Sequence, residues 1–159
     1  MKSRANIVGH PLHPILVTIP LGLWPFSVVA DLIYMFGWGP EAWKMTALYC
    51  LGGGLIGAIP AIITGYIDFT GIRNDTAARV AKFHLWINVA VFAILSVDFV
   101  WRWRETGPPF STGPVVLSII SILLLGISGW LGGELISKYK VSVRGNDEEA
   151  IEDTGRGRS

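Results

Sequence analysis

This chain of 159 residues is poor in the residue types from which soluble proteins build their surfaces and much of their chemistry. Charged residues make up 16% of it, against roughly 25% in soluble domains, so the composition indicates a membrane protein. Cys50 is the one cysteine, which excludes an internal disulfide and any cysteine-rich metal site. The formal net charge of +1 gives no global attraction for nucleic acid, and we expect no such partner.

Three signatures that would indicate a secreted protein, a nucleotide-binding protein or a hydrolase are also missing. Lys2 and Arg4 precede an apolar run, but this run is long, contains two prolines and lacks a small-residue cleavage site. It therefore predicts an uncleaved membrane span and not a signal peptide. Gly52-Gly53-Gly54 lacks the Gly-Lys-Ser/Thr ending of a phosphate loop. No Ser-His-Asp arrangement can be assigned from spacing, so no enzyme activity is predicted.

What the chain does have is apolar residues, which make up 51% of it and gather in four long runs. A helix needs about 20 mostly apolar residues to cross the hydrocarbon core of a bilayer. The runs that meet this length cover approximately residues 14–37, 45–67, 80–101 and 115–136. We predict an all-α integral membrane four-helix bundle over residues 1–143, followed by a flexible, charged cytoplasmic tail over residues 144–159.

Lysine and arginine are unevenly distributed between the two ends of this predicted bundle. Cytoplasmic segments carry the excess of these residues in membrane proteins. One end holds Lys44, Arg102 and Arg104. The other end holds ten, which are Lys2, Arg4, Arg73, Arg79, Lys82, Lys138, Lys140, Arg144, Arg156 and Arg158. The bias predicts that both termini lie in the cytoplasm.

Two of the predicted helices carry a polar stripe, because positions 18 apart return to the same face of a helix. The stripes consist of His13, Trp24, Ser27 and Asp31, and of His84, Asn88, Asp98 and Arg102. Polar groups are costly in hydrocarbon, so we expect both stripes to face the bundle interior and each other. We expect Asp31 and Asp98 to pair with Arg102, and a proton or ion path is the alternative.

The chain has three histidines, and the predicted topology gathers them at one end of the bundle. Imidazole and carboxylate ligands suit zinc, iron or manganese. The candidate metal ligands in this layer are His10, His13, Asp68, His84 and Glu134. Two imidazoles from different helices, His13 and His84, can instead bind a haem iron from both faces. Histidines that are only structural, or that handle protons, are the open alternatives.

Several of these residues belong to motifs that resemble a known family. The opening Gly9-His10-Pro11-Leu12-His13-Pro14 and the closing Gly132-Gly133-Glu134-Leu135-Ile136 resemble a bacterial membrane family catalogued as domain of unknown function number 2231. The Gly65-x-x-Asp68 and His84-x-x-x-Asn88 patterns are similar to its middle, and the likeness covers roughly residues 7–143.

The resemblance implies about four helices in a bacterial cytoplasmic membrane and no settled biochemical activity. Some members look like proteins that travel with iron–sulfur or cytochrome-type domains, which favours redox work. Members often carry further histidines where this chain has Thr18 and near Tyr139. The resemblance therefore implies a single site through His13 and His84 more readily than a multi-haem arrangement.

Together, the patterns and the resemblance favour a small redox-associated membrane protein that binds haem b or a transition metal near the cytoplasmic side. A non-catalytic subunit of a larger respiratory or photosynthetic complex is the first alternative. A proton or ion conduit is the second alternative. The expected partners are the lipid bilayer and either other subunits of a membrane complex or a redox partner.

Overall fold

A computed structural model describes residues 3–8, 10–105 and 111–141, and most of these residues lie in long helices. A short antiparallel hairpin comes first, in which β1 (Asn6–Ile7) pairs with β2 (His10–Pro11). The helices that follow are α1 (Leu12–Leu16), α2 (Thr18–Met35), α3 (Ala42–Phe69), α4 (Asp75–Arg104) and α5 (Thr112–Ser137). The tail predicted at residues 144–159 lies outside the described residues.

Local sequence explains where several helices begin and end. Pro20 has no N–H to donate to the carbonyl of Leu16, and the first helical stretch is interrupted at Val17, between α1 and α2. Gly37 adopts a φ of 70° just after α2, a conformation that glycine reaches without steric cost. The side chain of Asn74 accepts a hydrogen bond from the backbone N–H of Ala77 and so caps α4.

Four helical stretches are long and apolar enough to cross a membrane. They are Leu12–Met35, which combines α1 and α2, then Ala42–Phe69, Asp75–Arg104 and Thr112–Ser137. Each contains most of one predicted apolar run, so the prediction of an all-α four-helix membrane bundle is confirmed. The helix around residues 80–101 extends from Asp75 to Arg104, because backbone hydrogen bonding continues past the apolar residues that mark a span in the sequence.

The four long helices form two antiparallel hairpins, α2 with α3 and α4 with α5, within which the helices pack most extensively. Glycines on α3 allow its backbone to lie close to α2. The indole of Trp24 occupies the space that a Cβ of Gly54 would need, and Ile19 does the same at Gly57. The indole Nε1 of Trp24 also donates to the carbonyl of Leu51, at 3.3 Å. Close backbone approach at small residues is the usual way for helices to associate in lipid.

The middle of the bundle is filled by an apolar layer contributed by all four long helices. Its buried members are Trp24, Leu51, Ala58, Val91, Leu95 and Leu125. Large apolar side chains also cover the outside of the bundle, and Ile56 and Trp130 are 72% and 79% exposed. An apolar exterior of this kind is suited to lipid contact. Most interior polar groups lie towards the two ends of the bundle, on either side of the apolar layer, and the buried Ser121 lies between Ser118 and Leu125 on α5.

Candidate functional site

His13 of α1 and His84 of α4 meet at one end of the bundle. Their ring centroids are 6.3 Å apart and the two ring planes are almost perpendicular, at 88°. Both side chains are partly buried. They come from different hairpins and lie 71 positions apart in the sequence, so only the packing of one hairpin against the other brings them together.

Both imidazoles are anchored through the same ring atom. The Nδ1 of His13 lies 2.8 Å from the carbonyl oxygen of Ala61, and the Nδ1 of His84 lies 2.8 Å from the carbonyl oxygen of Ser128. A carbonyl oxygen can only accept, so each Nδ1 carries the proton and donates it. In a neutral imidazole the other nitrogen, Nε2, then carries a lone pair. This is the arrangement in which a histidine binds a metal, with its second nitrogen held by a carbonyl.

A glycine makes room for each imidazole, four residues after the carbonyl that anchors it. A Cβ on Gly65 would lie 2.8 Å from the Nδ1 of His13. A Cβ on Gly132 would lie 3.2 Å from the Cε1 of His84. Each hairpin therefore holds its histidine in the same way, with the imidazole on the first helix seated over a glycine on the second.

Replacing Gly65 with alanine is expected to destabilise the protein by about 1–3 kcal/mol, the usual cost of forcing an extra methyl into a packed site. The matched control is Gly126→Ala, since a Cβ at Gly126 meets nothing within 4 Å and should gain up to about 1 kcal/mol of helix propensity. The measurement is the free energy of unfolding in mild detergent. Equal unfolding of the two variants would contradict the seating of His13 on Gly65.

A cavity of about 300 Å³ lies beside the two imidazoles. Its wall is largely apolar and includes Trp24, Leu85 and Leu125, with His13, His84, Asn88 and Asp68 as polar members. Gly129 and Gly133 of α5 also line it, and a Cβ at either position would meet nothing within 4 Å. Alanine or larger residues at these two positions would therefore project into free space. A cavity with mostly apolar walls and a few convergent polar groups is the usual form of a ligand site.

The other three predicted metal ligands have different surroundings. His10 is exposed in β2, where its Nδ1 lies 3.2 Å from the carbonyl of Val8. Asp68 lines the cavity, but its Oδ1 accepts hydrogen bonds from the Ser3 hydroxyl at 2.7 Å and the Ala5 backbone N–H at 2.9 Å.

Glu134 accepts a hydrogen bond from the Nζ of Lys138 at 2.9 Å, and this bond raises the pKa of the Lys138 ammonium. Within residues 3–8, 10–105 and 111–141, no three of the histidine, cysteine, aspartate and glutamate side chains are grouped so that they could hold one metal ion. The predicted five-residue layer is thus not assembled around a single point. Asp68 and Glu134 are engaged by neighbouring residues, and His10 stays at the surface.

The opposite end of the bundle contains a buried ion cluster, the Arg102 cluster, made of Arg102, Asp31, Asp98 and Ser118. The guanidinium group binds both oxygens of Asp31, at 2.6 and 2.8 Å, and its Nε binds Asp98 at 2.8 Å. The hydroxyl of Ser118 donates to the second oxygen of Asp98 at 2.6 Å. The side chains of Arg102, Asp31 and Asp98 are 1%, 0% and 0% exposed. The cluster joins α2, α4 and α5, so its first role is to fix three helices in register.

The two polar stripes predicted from the sequence therefore face each other, with His13 opposite His84 at one end and Asp31 opposite Arg102 at the other. His84 and Arg102 are separated by about 27 Å along α4, at 1.5 Å per residue. The sequence did not reveal the groups that anchor the stripes. Ser118 and Ser128 look like ordinary small residues of α5, and the carbonyl of Ala61 has no signature in the sequence.

A family model described as Predicted membrane protein (DUF2231) matches residues 9–145. No curated protein and no solved structure matches the chain significantly.

Proposed function

Since this chain belongs to the family of predicted membrane proteins termed DUF2231, whose description names no activity, we propose a function from the site itself. The protein is a small redox-associated haem protein of the membrane, in which the Nε2 atoms of His13 and His84 bind the iron. The observation that carries the proposal is the matched anchoring of the two imidazoles through Nδ1, beside one cavity. The Asn88 amide nitrogen lies 3.3 Å from the Nε2 of His84 and would have to turn away when that atom binds iron.

The number of available ligands favours haem over a bare transition-metal ion. A structural or catalytic metal ion in a protein usually takes three or four protein ligands. The described part of the chain offers two histidines here and no group of three suitable side chains. A haem supplies four ligands of its own and needs only one or two axial ligands from the protein. Two imidazoles from facing helices meet that need.

The spacing and surroundings of the imidazoles also suit the proposal. His13 and His84 would hold the iron between their rings, whose centroids lie 6.3 Å apart. The glycines at positions 129, 132 and 133 have no side chains, so a flat ring system can approach the α5 backbone along this wall of the cavity. When bound, the haem would supply one-electron redox chemistry, which an apolar surrounding tunes by excluding water.

The protein's own residues would perform three tasks around such a group. The carbonyls of Ala61 and Ser128 orient the two rings and fix the tautomer in which Nε2 carries the lone pair. Gly65 and Gly132 seat the rings against α3 and α5. Leu85 and Leu125, with Trp24, shield the cavity from water.

A haem titration of the protein in mild detergent tests the proposal. One equivalent of haem is expected to give a saturable Soret band with the low-spin spectrum of two histidine ligands. The control variant is His10→Ala, which removes an exposed histidine outside the cavity and should leave the titration unchanged. Folded, helical protein that gives no Soret band would overturn the proposal. Stoichiometric zinc or manganese in such a preparation would favour the metal-ion alternative.

We further propose that the histidine end faces the cytoplasm of a bacterium, with both termini on that side. Exposed basic residues at this end support the orientation, and they include Arg73, Arg79, Lys82 and Lys138. Positively charged segments are retained on the cytoplasmic side of membranes. The haem would then lie within reach of a cytoplasmic redox partner.

The apolar layer argues against the alternative role as a proton conduit. Val91, Leu95 and Leu125 lie between the histidine site and the Arg102 cluster. A proton path through the bundle needs a continuous series of polar groups or waters. The haem role needs no such continuity, because the ligand binds at one end.

A further inference from the structure

We propose that the Arg102 cluster binds one proton in the folded protein, and that this proton lies on the Oδ2 atom of Asp98, in its contact with Ser118. The cluster is then a proton-binding site as well as a junction between three helices. The inference is independent of the proposed haem function, because the cluster lies at the end of the bundle opposite the histidines and its test needs no haem.

The charges of the cluster do not balance without a proton. The carboxyl groups of Asp31 and Asp98 share the single guanidinium group of Arg102, and all three side chains are buried. If both acids are ionised, one negative charge is left in an interior that excludes water. A carboxyl group in that position takes up a proton, because an uncompensated buried charge is far more costly. One bound proton makes the cluster neutral.

No second cation is buried beside the cluster in the described part of the chain, where Arg102 is the one buried basic residue. Arg104 is exposed at the end of α4. Lys44, in the first turn of α3, acts on Glu105. The pKa of Glu105 is lowered mainly by a hydrogen bond with Ser111 and in addition by the ammonium charge of Lys44.

The other titratable side chains of the five helices leave this balance unchanged. At the Arg102 end and in the middle of the bundle they are neutral phenols and a thiol. These are Tyr34, Tyr49 and Cys50, and those toward the histidine end are His13, Tyr66, Asp68, Asp75, Arg79, Lys82, His84 and Glu134. A proton is therefore the remaining means of neutralising the second carboxyl group.

The geometry selects Asp98 as the carboxyl group that carries the proton. Both oxygens of Asp31 accept charge-assisted bonds from the guanidinium group, at 2.6 and 2.8 Å, so neither has room for a hydrogen of its own. Asp98 accepts one short bond of this kind, on Oδ1 from the Nε of Arg102 at 2.8 Å. Its Oδ2 is 3.5 Å from the Nη2 of Arg102, and its short contact is with the hydroxyl of Ser118.

Ser118 can accept a hydrogen bond from the protonated carboxyl group. A hydroxyl oxygen accepts as well as donates, so a hydrogen on either oxygen satisfies the 2.6 Å contact between Ser118 and Asp98. The Nη2 of Arg102 donates to the same hydroxyl oxygen at 3.2 Å. The two lone pairs of that oxygen accommodate both donors. Ser118 is thus the partner that distinguishes Asp98 from Asp31.

The surroundings favour storage of the proton over its passage through the bundle. The next buried polar residue of α5 toward the histidine end is Ser121, whose hydroxyl makes no hydrogen bond to the described residues. The hydrogen bonds that begin at Asp98 therefore end at Ser118. Beyond them lies the apolar layer, with Leu95 and Leu125 among its members. A proton path needs a continuous series of polar groups or waters, which is not formed here.

The first test is the pH dependence of unfolding in mild detergent. The folded protein holds one proton that an unfolded aspartate, with its ordinary pKa of about 3.9, releases at neutral pH. Stability therefore falls as the pH rises. The unfolding constant of the unaltered protein, divided by that of Asp98→Asn, should rise about tenfold per pH unit between about pH 5 and 7. The division cancels the titration of the histidines, and asparagine resembles the protonated carboxyl group.

The matched control for this test is Asp75→Asn, which neutralises an exposed acid of the same helix. The unfolding constant of the unaltered protein divided by that of Asp75→Asn should not change with pH over the same range. At neutral pH, Asp98→Asn should be more stable than Asp31→Asn, because it keeps the ion pair that binds both oxygens of Asp31.

Infrared spectroscopy of the folded protein at neutral pH provides the second test. The unaltered protein and Asp75→Asn should show the C=O stretching band of a protonated carboxyl group, which shifts in deuterated water. The band should be absent in Asp98→Asn. Ser118→Ala should keep the band at a shifted frequency, because the carboxyl group loses the hydroxyl that accepts its hydrogen bond.

Two results would overturn the proton site, whatever the haem titration shows. One is folded, unaltered protein without a protonated carboxyl band. The other is a ratio of unfolding constants for the unaltered protein and Asp98→Asn that stays constant with pH. A band that persists in Asp98→Asn would overturn the assignment of the proton to Asp98.

Discussion

Replacing His84 with alanine is expected to abolish the Soret band at stoichiometric haem, which corresponds to a loss of about a hundredfold or more in affinity. Loss of a partner that only orients a metal ligand already costs about 10–100-fold, and removing the ligand itself costs at least as much. His84 is also the better anchored of the two imidazoles, through Ser128 and Asn88. The measurement is a haem titration of the variant beside the unaltered protein.

Free imidazole provides the control for this variant. His84→Gly leaves a space between α4 and Gly132 of about the size of the lost ring, so added imidazole is expected to restore the low-spin spectrum. Restoration would show that the bundle is intact and that a nitrogen ligand is what the variant lacks. A His84→Ala protein that takes up haem as tightly as the unaltered one would end the assignment of His84 as a ligand.

Replacing Arg102 with methionine is expected to destabilise the bundle by about 3–5 kcal/mol, the usual cost of removing one partner from a buried ion pair. The variant leaves Asp31 and Asp98 fully buried without their guanidinium partner. The measurement is the free energy of unfolding in detergent. Arg104→Met is the matched control, because Arg104 is exposed at the end of the same helix and its loss should change stability by less than about 0.5 kcal/mol.

A triple variant separates two contributions to the free energy of unfolding. One is the cost of leaving the two aspartates unpaired, and the other is the net contribution of the intact Arg102 cluster. Arg102→Met combined with Asp31→Leu and Asp98→Leu replaces the ions with apolar residues of similar size. Such replacements are often neutral or stabilising, so most of the stability lost in Arg102→Met should return. Unaltered stability of Arg102→Met itself would mean that the cluster is solvated and does not fix the three helices.

The two polar sites lie at opposite ends of the bundle and differ in how firmly they hold the helices. The Arg102 cluster holds α2, α4 and α5 together by strong, directional bonds, at the end remote from the histidines. The histidine end is held by single hydrogen bonds and glycine contacts, and it contains the cavity. A rigid end can therefore support an end that accommodates a ligand, with the apolar layer between them.

The pairing of the stripes was predictable because it follows from helical periodicity and from the cost of polar groups in lipid. His13 and Asp31 are 18 residues apart, as are His84 and Arg102, and each pair returns to one face of its helix. For both stripes, facing the bundle interior has the lower free energy, because it keeps the polar groups out of the lipid. Their meeting at 6.3 Å and at 2.6 Å is the result of that constraint.

The composition of the histidine site was not predictable to the same degree. Asp68 and Glu134 occur in the same layer as the histidines, which made them candidate ligands in the sequence. Asp68 accepts hydrogen bonds from Ser3 and Ala5, and Glu134 accepts one from Lys138. A carboxylate that already has partners nearby satisfies its bonding without a metal, and the sequence does not show which partners are within reach.

The number of membrane helices, their apolar exteriors and the two inward stripes were determined by the sequence alone, because they depend on the length and period of apolar runs. The tertiary structure decided which carbonyl anchors each imidazole, which glycines seat the rings and which carboxylates are engaged elsewhere. These features depend on how one hairpin packs against the other, and a backbone carbonyl leaves no mark in the order of side chains. Close packing fixes such contacts to within fractions of an ångström, whereas hydrophobic periodicity fixes only the face on which a residue lies.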